Sequence, residues 1–368
     1  MTKLEKMLKY VSENNEFYKN RIQKYDIKDP LDITQWPILT RKELQENRYN
    51  MFSEGMYEKY YVKKLRHFQS SGSSGVPIDI YWDFSDYNKS MIEIWRFRKK
   101  YHSISPSSKK ISFIYINDKP VSEPRKMYYI KGKEMYICKT CLSNVENAPI
   151  ICTLINMFSP EWLYVQPSIL SRIVYFYEVC KIKPIPTIRY IECVGEILTN
   201  TLRSRTYNIF KINITNMYGS VEMNSIAYEI ENNMVILKNV YVEILKQDKI
   251  CNCGEGAAII TNLCNRAMPL IRYSQGDLIR INKEECSGEK LLFLEKGRTR
   301  DTIKIGEKNY DVGLFVLICE RTNNAISHII DEYSFVYHKK SNVLTCRINM
   351  KDSYITWRPK ILSLMKEF

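Results

Sequence analysis

The stretch Ser70-Ser71-Gly72-Ser73-Ser74-Gly75-Val76-Pro77 places four hydroxyls and two glycines in six residues. Backbone N–H and serine O–H groups in such a loop can converge on one anion, and phosphate oxygens suit that cradle. Glycine permits the positive φ angles of a tight curl, and serine donates without adding charge. A Gly/Ser linker uses the same letters. This loop, however, is internal, follows the basic segment 61–68, and ends in Pro77 and the apolar run Ile78 to Trp82. Further polar groups beside glycines stand at Gly195-Glu196, Tyr218-Gly219-Ser220 with Glu222, Gly276-Asp277 and Gly297-Arg298. Taken singly, Asp277 reads as a turn residue. Tyr218 and Glu222 read as a core aromatic and a surface acid, and Arg298 with Asp301 as a surface ion pair. His67, His102, His328 and His338 fit no motif and read as structural.

The elements that must position these groups follow from periodicity. Leu4, Met7, Leu8, Val11, Tyr18 and Ile22 predict one amphipathic helix over 4–22. Thr40 with Glu43 is a capping box that starts a second. A strand over 78–82 leads to a helix over 85–101. Strands over 111–116, 162–165, 188–194 and 212–217 alternate with helices after Pro167 and Thr199, which argues for a layered α/β domain. The stretch 117–147 shows no assignable period. Beyond 226 short strands dominate: 234–237, 240–245, 257–261, 278–281 and 291–294. From 302 onward the pattern is strand, helix (312–321), strands over 333–338 and 343–350, and a final helix from Thr356. There is no internal repeat.

At 368 residues the chain is long enough for one large domain plus a small one, or for two moderate domains. The 45% hydrophobic and 12% aromatic content fits a globular core. The longest apolar run, 169–180, is broken by Arg172 and Glu178, which argues against a membrane span. Glu5, Lys6 and Lys9 interrupt any signal-peptide core, so a cytoplasmic protein is expected. The net charge of +14 is scattered and reads as a solvated surface rather than a nucleic-acid interface. The 11 cysteines read as reduced core thiols. Zinc could be held at Cys138/Cys141 or at Cys251/Cys253 with Cys264 and Cys286, but neither set has ribbon spacing.

Five segments in one order resemble the adenylate-forming enzymes, the acyl-adenylate synthetase superfamily. They are Ser70–Pro77; Gly195-Glu196; Asn216-Met217-Tyr218-Gly219-Ser220-Val221-Glu222; Arg272-Tyr273-Ser274-Gln275-Gly276-Asp277-Leu278; and the run from Gly297-Arg298 to Gly306. Asn14–Lys19 and Pro37–Leu44 are similar to the opening of phenylacetate–coenzyme A ligases and their capsular-polysaccharide and luminescence relatives. The segments 192–203 and 218–228 look most like the capsular group. The resemblance covers roughly residues 10 to 310.

That resemblance implies ATP- and Mg²⁺-dependent activation of a small carboxylic acid to its acyl-adenylate. The reaction gathers negative charge on phosphorus, so donors and a cation are needed rather than a covalent nucleophile. It implies that Ser70, Ser71, Gly72, Ser73, Ser74 and Gly75 hold the β- and γ-phosphates, Ser73 acting with Glu222 in catalysis. Glu222 takes Mg²⁺, Asp277 accepts from the ribose hydroxyls, and Arg298 supports the ribose and phosphate side. Gly195 and Glu196 line adenine, with Tyr218 stacked on it. The acid sits near Met217, Gly219 and Ser220, walled by Tyr164 and Gln166 or by the helix around Trp95. Lys360 and Lys366 are the candidates for the lysine that the family's mobile C-terminal module delivers.

The chain departs from the family at Val221, where a threonine hydroxyl is usual, and at Ser274-Gln275, which replaces Arg-Thr. The expected architecture is a large layered α/β domain over 1–300, β-rich over about 227–300, and a short α+β domain over 301–368. The expected acceptor is a thiol or amine: coenzyme A or a carrier protein first, an amino sugar second. The alternative is a non-catalytic nucleotide-binding or scaffold protein on the same fold.

Overall fold

The computed structural model describes residues 1–70, 77–114, 127–283, 290–298, 302–305, 308–311, 318–319, 322, 332–338, 341, 343–349, 356 and 358–367. Two compact units compose the chain, residues 1–275 with 279–293, and residues 276–278 with 294–368.

Helices α1 (Lys3–Asn14) and α2 (Glu16–Lys24) replace the single helix expected over 4–22. Asn15 breaks it. Its backbone is extended, and its side chain caps α2 by accepting from Tyr18 N at 3.2 Å. Its amide donates to Met51 O at 2.9 Å and Ser53 Oγ at 3.2 Å. A buried amide must find partners, and these three outweigh a continuous apolar stripe. Helix α3 (Arg41–Glu46) starts at the expected capping box, with Glu43 N donating to Thr40 Oγ1 and Thr40 N to Glu43 Oε2. Helix α4 (Met56–Tyr61) follows. Strands β1 (Leu65–Gln69) and β2 (Asp79–Asp83) form an antiparallel hairpin around the Ser/Gly loop, with Gln69 opposite Asp79.

The helix expected over 85–101 is likewise two, α5 (Phe84–Ser90) and α6 (Ile92–His102). Asn224 Nδ2 holds the break, donating to Ser90 Oγ at 2.8 Å and to Met91 Sδ at 3.2 Å. Then come β3 (Lys110–Ile114), β4 (Tyr128–Lys131), β5 (Glu134–Cys138), α7 (Ala148–Phe158), β6 (Trp162–Val165), α8 (Pro167–Cys180), β7 (Tyr190–Val194), α9 (Asn200–Phe210) and β8 (Ile214–Ser220). Strands β9 (Asn224–Ile230), β10 (Asn233–Ile236), β11 (Val240–Lys246), β12 (Lys249–Cys251), β13 (Gly254–Asn262), β14 (Tyr273–Lys283) and β15 (Lys290–Arg298) complete one sheet. Among the described residues it has 13 strands in the order β12-β11-β13-β14-β15-β10-β9-β8-β7-β6-β3-β5-β4. The strands beyond 226 thus extend the sheet that begins at β3.

Strands β5, β3, β6, β7 and β8 run parallel. Parallel strands need crossovers, here α7, α8 and α9, and both sheet faces are covered. On one face Ile111, Leu163, Val165, Ile191, Cys193 and Ile214 pack with Ile151, Ile173 and Leu202. The other face is aromatic and polar. Trp162 and Tyr164 on β6 lie opposite Tyr190 and Glu192 on β7, and Trp95 and Arg98 of α6 lie against them. Arg98 grips Glu192 through Nε at 2.8 Å and Nη2 at 2.6 Å, both residues buried. Burial works against the Arg98 charge, and the Glu192 carboxylate more than restores it.

In the second unit, β16 (Thr302–Ile305) pairs with β17 (Lys308–Asp311), and β18 (Glu332–His338) with β19 (Val343–Asn349). Helix α10 (Arg358–Glu367) ends it. Most of the helix expected over 312–321 lies outside the described residues. Among the described residues, no helix is long and apolar enough to cross a membrane. None of the ten described cysteines is in a disulfide, and no cluster of three or more His, Cys, Asp or Glu that could hold a metal occurs among the described residues; Cys286 lies outside them.

Candidate active site

Strands β7 and β8 end side by side, Val194 opposite Met217. Gly195 and Tyr218, the next residue on each, therefore sit together at the C-terminal edge of the parallel strands. In open α/β sheets that edge is where ligands bind. Gly195 takes φ +80°, which favours glycine. Glu196 turns back onto α8, accepting from Ser168 N at 2.8 Å and Ser168 Oγ at 2.9 Å. Its carboxylate thereby serves the N-terminus of that helix. Gln166, one residue before α8, accepts from Lys139 Nζ. Burial lowers the Lys139 pKa, and Glu196 partly offsets this.

Strand β8 is irregular between Tyr218 and Gly219. A Cβ at Gly219 would stand 2.1 Å from Asn224 O. Only glycine fits there, and the shift re-aims the residues after it. Ser220 Oγ accepts from Met223 N at 3.2 Å and donates to Gln275 Oε1 at 3.3 Å. Gln275 Nε2 in turn donates to the Tyr218 hydroxyl at 3.1 Å. Met217 and Tyr218 are buried, and Val221 packs against the core.

Glu222 is buried with its carboxylate in a small network. Tyr273 OH donates to Oε1 at 3.2 Å, and Arg41 Nη1 lies 3.7 Å from the same oxygen. Arg41 Nη2 also reaches Ser70 Oγ at 3.5 Å. Ser70 closes the neck of the Ser/Gly loop: its N–H donates to Ile78 O at 2.9 Å, and its Oγ accepts from Ile78 N at 2.8 Å. Below the neck, Asp79 accepts from Arg48 at 2.5 Å, His67 at 2.8 Å and Gln69 at 2.9 Å. The hairpin is thus held at the base of its loop.

Arg41 reaches this place because α3 is stitched to β14. Leu39 N donates to Arg272 O, and Ser274 N to Leu39 O, each at 2.9 Å. Arg272 is clamped by Glu243 at 3.1 Å and by Trp36 O at 2.6 Å. The structure therefore brings Ser70 and Glu222 together through Arg41. It also joins Tyr218 to Ser220 through Gln275 and sets Gly195 beside Tyr218. Ser71, Gly72, Ser73, Ser74 and Gly75 lie outside the described residues. Asp277 follows Gly276 (φ +90°) on β14 and Arg298 ends β15, both in the second unit. Lys360 and Lys366 fall on α10, Lys360 exposed; the Lys366 side chain is outside the described residues.

No protein-family profile matches this sequence, and no curated protein does. Solved structures do. A 2-hydroxyisobutyryl-CoA ligase with 2-HIB-AMP, in the postadenylation state, superposes with TM-score 0.71 at 15% identity, covering 99% of this chain and 82% of that one. The chain has the fold of the adenylate-forming ligases. The anthranilate CoA ligase AuaEII with anthranoyl-AMP has this ligase fold too, at TM-score 0.54 and 13% identity over 82% of this chain and 60% of that one. McyG A-PCP with phenylalanyl-adenylate matches at TM-score 0.54 and 12% identity, over the same shares.

Within the ligase fold, sequence reasoning missed three polar residues. Arg41 stood inside a recognised helix start, Gln275 stood in a segment read for its Gly-Asp, and Tyr273 stood beside it. The signal for Arg41 was a cation in the first turn of a helix, where the dipole disfavours it.

Proposed function

We propose that the protein activates a small carboxylic acid with ATP and passes the acyl group to a thiol or amine. The observation that carries this is the meeting of Ser70, Arg41 and Glu222 at the neck of a Ser/Gly loop, on a fold whose solved examples hold acyl-adenylates. An oxygen of the acid attacks the α-phosphorus, the bond to the β-phosphate oxygen breaks, and pyrophosphate leaves. The acceptor then attacks the acyl carbon, releasing AMP and a proton.

The loop 70–75 would hold the β- and γ-phosphates, and Arg41 would add a positive charge beside the leaving group. Mg²⁺ is usually bound by one or two carboxylates plus substrate phosphates. A single buried carboxylate at Glu222, with Tyr273 fixing one oxygen, fits that pattern. When bound, the ion would neutralise phosphate charge. Gly195 and Tyr218 would flank adenine. Met217 to Ser220 would face the acid, with Tyr164, Gln166 and Trp95 as walls. Asp277 and Arg298 are proposed for the ribose, and Lys360 or Lys366 for the adenylation lysine. The segments that resemble phenylacetate–coenzyme A ligases and the capsular group fall on α2, α3 and the β7–β9 region, and support that branch. Coenzyme A or a carrier protein is the first acceptor in this reading and an amino sugar the second, with the reaction in the cytosol.

Carboxylate-dependent ATP–pyrophosphate exchange tests this across aryl, fatty, hydroxy and amino acids. Exchange with one class, lost in Glu222→Gln and Arg41→Ala, is the expected result. AMP binding in calorimetry without exchange for any acid would instead identify a non-catalytic nucleotide-binding protein, the reading that Val221 favours.

A further inference from the structure

Lys139, Gln166 and Gly195 each follow directly on a parallel strand, β5, β6 and β7, and all three belong to the first unit. Gln166 is the N-cap of α8, a place where a side chain ordinarily accepts from the first turn of its helix. Its side chain makes no such bond. Glu196 does that work instead, through Ser168 N and Oγ. The Gln166 amide is engaged elsewhere: Lys139 Nζ donates to its Oε1. An ammonium has only donors, so it must face the amide oxygen, and the amide cannot turn round without losing that bond. Nε2, with its two N–H groups, is thereby held at the strand edge. A Cβ at Gly195 would lie 3.9 Å from it. Gln166 is half-buried, and Nε2 is not closed off from solvent. Among the described residues no acceptor meets it.

The surroundings of this donor are apolar. Gln166 has extended backbone, which carries the alternation of β6 one residue further, so its side chain leaves on the side of Tyr164. On that side Tyr164, Val194 and Met91 pack against a cluster that contains Ile94 and Met217. An apolar surround with a few placed polar groups is how small-molecule sites fix orientation. Against a hydrocarbon chain Nε2 would lose its water and gain no acceptor. Against a hydroxyl or oxo oxygen it keeps a hydrogen bond.

We infer that Gln166 Nε2 donates to an oxygen substituent on the acid, which makes the substrate a hydroxy or oxo acid rather than a plain hydrocarbon one. Lys139 is the positioning residue that fixes the donor. This rests on the ligase activity proposed above, which puts the acid beside Met217 with Gln166 as a wall.

Pyrophosphate exchange on the full chain tests it with matched acids: butyrate against 2-hydroxybutyrate, 3-hydroxybutyrate and 2-oxobutyrate, and benzoate against 2-hydroxybenzoate. At least one substituted acid should exceed its plain partner by about tenfold or more in kcat/KM. In Gln166→Leu that ratio should fall about tenfold. It should fall in Lys139→Met too, whereas Lys139→Arg, which again can only donate, should keep it. A merely structural role would lower both acids of a pair together and leave the ratio alone. Plain acids preferred throughout, a ratio unmoved in Gln166→Leu, or no difference between the two Lys139 variants would overturn the inference. Should no acid support exchange, the ligase reading fails. Calorimetry of the same pairs on the AMP-saturated chain then reads the preference, and equal or absent binding within every pair overturns the inference as well.

Discussion

Gly219→Ala adds one methyl group and removes nothing, which makes it a sharp probe of the bulge at the end of β8. The new Cβ would lie 2.1 Å from Asn224 O, 3.2 Å from Asn224 C and 3.3 Å from Ser225 Cα, all backbone atoms. Carbon and carbonyl oxygen settle no closer than about 3.3 Å. The turn into β9 must therefore open by roughly 1 Å, because no side chain can rotate away. Overpacking of this kind costs ~1–3 kcal/mol, which in a unit this large lowers Tm by a few degrees per kcal/mol. Displacing Ser220 and Tyr218 by about 1 Å should cut exchange about a hundredfold. The control is Gly132→Ala, where φ is +60° but nothing lies within 4 Å. It should lose only ~1 kcal/mol to backbone strain and keep full exchange. Thermal melting and pyrophosphate exchange on both variants decide the matter. A Gly219→Ala protein with unaltered Tm and exchange would refute the bulge as the device that sets Ser220.

Two further substitutions address what holds the site. Burial alone would raise the Asp79 pKa, but hydrogen bonds from His67, Arg48 and Gln69 overcome it and hold the carboxyl below its ordinary 3.8. Asp79 therefore stabilises the fold fully above that value and loses the effect as pH falls through its lowered pKa. Asp79→Asn should reduce Tm by a roughly constant amount between about pH 5 and 8, and the gap to the unaltered protein should close below about pH 4; a gap that widens on acidification would contradict this. Glu192→Leu leaves the Arg98 charge buried and unpaired, which should cost ~3–5 kcal/mol in denaturant unfolding. Adding Arg98→Met should recover most of it; no recovery would mean that the pair is not an isolated charge couple.

The parts of the fold legible in the sequence were those written locally. The Thr40 capping box, the β6–α8 and β7 segments and the glycine-bearing turns stood near where periodicity put them. What failed was local pattern overridden by a distant partner. Asn15 ends α1 because Met51 and Ser53 await its amide, and nothing in 4–22 announces them. Glu192 sits in a strand of apolar neighbours, and its partner lies 94 residues earlier. The edge strand β4, Tyr-Tyr-Ile-Lys, has one half-buried and three exposed residues, so it lacks the alternation that marks a strand. In the candidate site, Gly195, Gly219 and Glu222 stand in segments that motif order had already singled out. Arg41 and Gln275 were not, since their roles depend on where α3 docks and how β14 begins.

That docking has a consequence for synthesis. Leu39 bonds to residues 272 and 274, so the N-terminal helices cannot be seated until more than two hundred further residues have left the ribosome. At ~5–20 residues per second, Trp36, Leu39 and Leu44 wait roughly 10–50 s for the strand that covers them. The nascent chain thus carries that uncovered apolar surface until β14 emerges, and slowed elongation should raise its demand on holding chaperones.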